Sequence, residues 1–293
     1  MSLAPSSHIQ NYLQFTKIQG AGNSFICIDH IHKPFVRDLA SLAIQATSSG
    51  IGIGADGMIV MSHSEKATLR MVLYNPDGSQ AHSYGNSLRC AALYARAKGV
   101  TDSSLITVET DSGIMSARIE NYSGLQATIT VDMGHPDFNS PNLPLTRDTF
   151  GRVILTVGER AFTLFPVSIG EPHGVIFTDD LSDNNFLSYA PMVSRHSRWP
   201  KHAIVEFAKA TMIPGTYEMR TWEPVLQETP ACGTGACAVA AAAWFTGCKT
   251  TTVNLQLPGG TLSVARHPDS GNFLLTGPAA IVADGILYIA PTE

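Results

Sequence analysis

The sequence predicts an α+β protein built of two pseudo-symmetric halves, each a set of short strands wrapped round one central helix. Three observations carry this. Tyr84-Gly85-Asn86-Ser87-Leu88-Arg89-Cys90, running into Ala91-Ala92-Leu93-Tyr94-Ala95, aligns with Cys232 onward at an offset of 148, close to half of the 293 residues. The same offset places Gly22-Asn23-Ser24-Phe25 over Gly170-Glu171-Pro172-His173, and Asn75 over Glu223. Many short strand-like runs accompany a single strong helix in each half, which is not the pattern of a layered α/β sheet. A duplication of this kind puts a functional site between the copies.

In chain order, residues 1–12 read as a loose extension, with neither the basic region nor the apolar core of a signal peptide. Leu13–Lys17 and Phe25–Asp29 read as strands flanking the Gly20-Ala21-Gly22 turn, and Asp38–Ala46 has helical spacing. Gly52-Ile53-Gly54-Ala55-Asp56-Gly57 matches the dinucleotide fingerprint, which requires a preceding strand and a following helix. A Ser/Gly loop precedes it and Met58–Met61, more strand than helix, follows, so a dinucleotide site is rejected. Thr68–Leu73 is strand-like, Asn75-Pro76-Asp77-Gly78 is turn chemistry, and a helix runs over 85–98 to Gly99. Strands follow at Leu105–Glu109, Met115–Ile119 and Ala127–Met133, with Gly134 and Pro136 marking a boundary and 140–144 a linker.

The second half repeats the plan, with strands near 153–167 and 174–178, a helix near 182–193, and strands near 203–208 and 216–221. Its helix spans about 233–246 and ends at Gly247. Leu257-Pro258-Gly259-Gly260 is a hairpin turn, and Leu275-Thr276-Gly277-Pro278 precedes a last strand at 280–289. The expected domains are 13–133 plus 281–293, and 134–280.

Composition narrows the function. A formal charge of −5 with no Lys/Arg run argues against nucleic-acid or anionic-membrane partners. The apolar run at 236–245 is too short to span a bilayer. Five cysteines without Cys-x-x-Cys spacing suit a reducing cytoplasm and argue against structural zinc.

The chemistry centres on Ala231-Cys232-Gly233-Thr234-Gly235-Ala236-Cys237-Ala238. Pro230 and the glycines exclude regular structure before an Ala-rich helix former, so Cys232 stands at a helix start. The open N–H groups there bind a carboxylate and lower the pKa of an adjacent thiol. Cys232 is therefore expected to be a reactive thiol of depressed pKa. The alternative is a small buried hydrophobe, and this stretch alone leaves both open.

Further residues carry a family resemblance: Lys17-x-x-Gly20-x-Gly22-Asn23-x-Phe25, Gly52 to Gly57, Asn75-x-Asp77-Gly78-Ser79, Gly85-Asn86-x-x-Arg89-Cys90 and Pro172-His173. Glu228-Thr229-x-Ala231-Cys232-Gly233-Thr234-Gly235, Leu257-Pro258-Gly259-Gly260 and Thr276-Gly277-Pro278 complete the set. In this order, over essentially the whole chain from about residue 13, the sequence resembles the diaminopimelate epimerase family. The resemblance implies two barrel-like domains, each enclosing a helix, with the active site in the cleft. It also implies an isomerase that inverts an amino-acid α-carbon without pyridoxal or metal, on a small-molecule substrate, in a possible homodimer.

By resemblance, the α-carboxylate cradle is the backbone at Gly85, Asn86, Gly233 and Thr234, with Asn23 and Asn75 also binding substrate. Cys232 is one acid/base, and His173 and Glu223 are expected beside residue 84. The family's other cysteine is replaced by Tyr84, and Cys90 lies too far into its helix to substitute. A phenol is the weaker acid, with a reference pKa near ~10 against ~8.5, but serves if neighbours assist it. The other reading makes Tyr84 a filler of the site.

Pro224 stands where the family has an Arg that grips a distal carboxylate, Glu171 and Ile204 replace two Asn, and Ser24 replaces an Asp. Losing a bidentate cation and gaining a carboxylate favours a neutral or basic substrate side chain over diaminopimelate. Arg89 and Arg220 are expected to serve structure. Diaminopimelate epimerase proper, a one-base proton-shuttling isomerase like the phenazine-biosynthesis relatives, and a silent amino-acid-binding protein are the alternatives. Cys232, His173 and Glu223 together with both cradles argue against the last.

Overall fold

The computed structural model describes residues 12–35, 38–81, 85–143, 148 and 151–289. The first half contains β1 (Tyr12–Gly20), β2 (Asn23–Asp29), α1 (Leu39–Thr47), β3 (Gly57–Ser62), β4 (Leu69–Tyr74) and β5 (Gln80–Ala81). It continues with α2 (Gly85–Ala97), β6 (Leu105–Thr110), β7 (Gly113–Tyr122) and β8 (Gln126–Asp132). The second half contains β9 (Val153–Val157), β10 (Arg160–Ile169), β11 (Glu171–Phe177), α3 (Asp183–Ser194), β12 (Ile204–Ala210), β13 (Thr216–Glu223) and β14 (Gln227–Thr229). Then come α4 (Gly233–Phe245), β15 (Thr252–Leu257), β16 (Gly260–Arg266) and β17 (Phe273–Tyr288).

Eight strands close a barrel in the order β1, β2, β3, β4, β6, β7, β8, β17 and back to β1. In the second half β10, β11, β12, β13, β15, β16 and β17 follow one another in the same way. The chain leaving β8 completes that ring. Met133 donates to Phe273, Phe273 to Gly134, and Asp137 and Ser168 exchange backbone bonds. The fold is thus α+β with two barrel-like halves.

The helices occupy two kinds of place. Residues 85–95 of α2 and 233–243 of α4 are buried on every side, inside the barrels. The α4 helix is apolar all round, as an enclosed helix is expected to be, and its alanines keep it thin enough to fit, whereas α2 also encloses Asn86, Ser87 and Arg89. By contrast α1 and α3 bury one face each on the outside, α1 against Ile26, Ile28, Met58 and Val60, and α3 against Val205 and Phe207. Asp38 and Ser182 cap these outer helices through their side chains.

The offset of 148 carries β2 onto β11 and α2 onto α4 residue for residue. In the β8–β17 ladder Ile129 stands opposite Gly277, its own counterpart at that offset. Gly85 and Gly233, counterparts too, touch: a Cβ on either would stand 3.3 Å from the other's Cα. The pseudo-twofold axis therefore runs through both pairs, as an isologous contact requires.

Several details differ from the sequence reading. Residues 275–278 do not precede the last strand; they lie inside β17, which runs 16 residues and serves both barrels. Thr276, Gly277 and Pro278 all remain in register with β8, Pro278 opposite Thr128. The short strands β5 and β14 lacked any hydrophobic signature. Leu143, within the expected linker, is buried against the α3 layer.

Gly277 is tightly packed as well, since a Cβ there would stand 2.4 Å from Leu262 and 3.2 Å from the Arg89 guanidinium. Gly277→Ala is expected to destabilise the protein by roughly 1–3 kcal/mol through overpacking. Gly50→Ala, which meets nothing within 4 Å, is the neutral control in denaturant melts.

Candidate active site

Each enclosed helix begins at the cleft between the barrels. Cys232 is the N-cap of α4, with extended backbone (φ −125°, ψ 118°), and its Sγ accepts the Gly235 N–H at 3.3 Å. The Thr234 hydroxyl lies 3.3 Å from the same sulfur. The first N–H groups of both helices have no intrahelical acceptor, so two positive helix ends converge where Gly85 meets Gly233.

Two glycine motifs hold the approach to Cys232. The turn between β1 and β2 uses Ala21 and Gly22 at positive φ (53° and 85°), and it packs on the β15–β16 turn. A Cβ on Gly259 would stand 1.9 Å from the Ala21 carbonyl oxygen. Gly259 N–H donates to the Pro230 carbonyl at 2.8 Å, so these turns clamp the segment leading into the thiol.

Asn86 ties the halves together. Its Nδ2 donates to the Ala231 carbonyl (3.0 Å) and to Asn23 Oδ1 (3.3 Å), and its Oδ1 accepts from Arg89 at 2.8 Å. Arg89 is completely buried, donates also to Pro278 O at 3.3 Å, and fits only because Gly20 and Gly277 leave room. Burial lowers its pKa to about 10, which leaves it a cation at neutral pH. No carboxylate neutralises it among the described residues.

The cleft encloses about 300 Å³ and gathers Asn23, Asn75, Gly85, Asn86, Glu171, Glu223, Cys232, Gly233 and Thr234 along its wall. His173 lies beneath, fully buried, with Nδ1 2.7 Å from Glu206 Oε1. Tyr84 lies outside the described residues. Asp56 also lines the cleft, held by the Ser24 N–H (2.7 Å) and hydroxyl (3.3 Å). Sequence reading took Asp56 only as part of a motif and assigned Glu206 no role. The wall carries three carboxylates (Asp56, Glu171 and Glu223) and, among the described residues, no Lys or Arg. Arg220 is elsewhere, bound to Glu228 (2.7 and 2.8 Å) and Asp183 (2.8 Å). The Gly52–Gly57 motif wraps the C-terminus of α1, with Ile53 and Gly54 donating to Ala46 O, which explains its glycines without a nucleotide.

The electrostatics correct one expectation. The Cys232 thiol is not depressed but raised well above its ordinary value in the free protein. Burial is the main cause and the charges of Glu223 and Glu206 add to it, outweighing the Thr234 and Gly235 hydrogen bonds. Cys90 and Cys237, enclosed within their helices, are pushed up to about 12 by burial. Burial also raises Glu223 to about 7, against the hydrogen bond from Thr229 (3.0 Å).

The diaminopimelate epimerase family model matches residues 15–139 and 165–282. The diaminopimelate epimerase of Desulforudis audaxviator is 39% identical over 276 residues, covering 93% of this chain and 98% of that protein. That of Bacillus subtilis is 34% identical over 285 residues, covering 95% and 100%. The chain belongs to the diaminopimelate epimerase family. It is an isomerase of the epimerase and racemase class. The fold recurs in a hydroxyproline epimerase from Agrobacterium vitis (TM-score 0.66, 15% identity, covering 96% of this chain and 94% of that one). A PhzF-family phenazine biosynthesis protein from Bacillus anthracis shares it too (TM-score 0.64, 13% identity, 94% and 98%). No helix among the described residues of this epimerase-family chain is long and apolar enough to cross a membrane.

The raised Glu223 carboxyl has a consequence for stability. Between its ordinary value of 4.5 and about 7 the folded chain holds a proton that the unfolded chain has released. The contribution of this group to stability therefore falls as pH rises through that window, and the penalty is complete above it. Glu223→Gln is expected to raise Tm at pH 8 and to leave it nearly unchanged at pH 4.5 in the ligand-free protein. An equal shift at both pH values would contradict this assignment.

Proposed function

We propose that the protein inverts the α-carbon of a free amino acid by two-base proton transfer without a cofactor, and that the substrate side chain is neutral or basic. The carrying observation is the charge of the cleft wall: two helix N-termini for one carboxylate, three carboxylates, and no lysine or arginine for a second anion. The Glu171 side chain, in the cleft wall, has no hydrogen-bond or ion-pair partner among the described residues, which leaves it available to a cation.

In this reading the substrate α-carboxylate lies against Gly85, Asn86, Gly233 and Thr234, where the helix ends and buried Arg89 stabilise charge as the α-proton leaves. Asn23 and Asn75 fix its orientation. Cys232 is assigned the proton on one side of the α-carbon and Tyr84, by the family resemblance, the other. In the free protein Cys232 holds its proton, and the ammonium of a bound amino acid offsets the carboxylate charges that keep it there. Tyr84 requires assistance from His173 and Glu223, because an unassisted phenolate at neutral pH forfeits roughly 4 kcal/mol relative to full ionisation.

Diaminopimelate itself is the second reading, favoured by relatives of that name at 33–39% identity. The two separate in a competition experiment. Amino acids with neutral or basic side chains are expected to show higher specificity constants than diaminopimelate, and the reverse order would establish the second reading.

In deuterated water, Cys232→Ala is expected to abolish α-proton exchange with the fold intact. Tyr84→Phe is expected to keep substrate binding and lose inversion, while Cys232 still exchanges one enantiomer with retention. Racemisation by Tyr84→Phe at the wild-type rate would make the phenol a filler and leave His173 as the second proton carrier to examine.

A further inference from the structure

Beside Cys232 the second barrel holds a fully buried carboxylate with no role in the scheme above. Glu206 stands on β12 between Val205 and Phe207, which pack into the outer layer under α3. Alternation along the strand turns Glu206 the other way, into the barrel. Its Oε1 lies 2.7 Å from His173 Nδ1 on the adjacent parallel strand, and neither side chain is exposed at all. Thr221 of β13 stands directly across from it. His173 Nε2, Glu206 Oε2 and Thr221 Oγ1 have no hydrogen-bond partner among the described residues.

This cluster adjoins the thiol. A Cβ on Gly235 would stand 2.6 Å from Glu206 Oε1 and 3.3 Å from Cys232 Sγ. Gly235 is a helical residue without a positive φ, a position where alanine is favoured by about 1 kcal/mol. The nearness of the carboxylate is the reason a glycine stands there. An ionised buried carboxylate is costly unless matched, and an imidazolium at His173 matches it.

We propose that Glu206 is the positioning residue for His173: it holds Nδ1–H, fixes the ring tautomer, and leaves Nε2 as the nitrogen that exchanges protons with the cleft. A proton reaching Nε2 makes an imidazolium whose charge Glu206 balances. Its return leaves a neutral ring with Nδ1–H still on Glu206, so one proton enters and one leaves. The groups around the ring agree. Burial alone would lower the His173 pKa, while the charge and hydrogen bond of Glu206, with Glu171 on β11 and Glu223 on β13 farther off, turn the net shift upward. Cys232 at the start of α4, His202 just before β12 and Asp56 are the other titratable groups that line the cleft among the described residues. The inference rests on the racemase reading only for what His173 finally serves.

Nitrogen-15 NMR of the whole protein tests it without substrate, with His173→Gln identifying the ring among the ten histidines. At high pH the wild-type ring is expected as the Nδ1–H tautomer. Glu206→Gln, which still offers an oxygen to Nδ1–H, should lower the ring's proton affinity by on the order of tenfold or more, and Glu206→Asp should retain most of the upward shift. The Nε2–H tautomer in wild type, or unaltered titration in both variants, overturns the proposal. With an accepted substrate from the deuterium panel, Glu206→Gln should reduce kcat by roughly tenfold or more while KM changes little. Failure of every substrate would count against the racemase reading alone, because the NMR result stands independently.

Discussion

Everything in this molecule depends on two helix N-termini meeting at one point. Gly85 and Gly233 touch on the pseudo-twofold axis, so the positive ends of α2 and α4 face the same small volume. Buried Arg89 adds a cation behind them, with no carboxylate partner among the described residues. Without an anion, bringing two positive helix ends and a buried cation together is electrostatically unfavourable. A carboxylate in the cleft relieves it. An anion that gains charge as a neighbouring proton leaves relieves it further, which is the differential binding that catalysis needs.

The barrels impose that meeting because each is closed by the other's chain. The first part of β17 pairs with β8 across the axis and its second part with β1, while residues 133–137 cross from β8 to close on Ser168. A helix fully enclosed in each barrel then has no freedom to slide away. The two glycine turns, at Ala21-Gly22 and Pro258-Gly259, lock the segment entering Cys232 from the other side. Strain-free glycines at contact points thus replace mobile side chains where small displacements would move the thiol.

Duplication has left the halves chemically unequal. Phe25, Met58 and Asn75 of the first half correspond at the repeat offset to His173, Glu206 and Glu223 of the second. Glu171, Glu223 and Cys232 in the cleft wall come from the second half and Asp56 from the first, as do the amides Asn23, Asn75 and Asn86. That asymmetry raises the Cys232 thiol instead of lowering it: the helix terminus acts on the sulfur, but burial and two nearby carboxylates act more strongly.

Much of this was legible in the sequence, because it is written in local chemistry. The repeat, the Ala-rich enclosed helices, the Gly22 and Gly78 turns and the N-cap position of Cys232 follow from propensity, patterning and backbone freedom. The cradle expected at Gly85, Asn86, Gly233 and Thr234 came from the family resemblance, and these four residues stand at the two helix starts. Other features depend on contacts distant in the chain. Glu206 looks like any strand residue until β11 sets His173 against it. Asp56 looks like loop chemistry until Ser24 turns it into the cleft. The continuity of β17 through Gly277-Pro278 was hidden by its turn-like residues, since only the neighbouring strands and the Arg89 side chain show why they stand in a strand. The thiol's proton affinity likewise belonged to tertiary structure. Local sequence supplies the helix terminus, whereas burial and the charges facing the sulfur come from residues that only folding brings together.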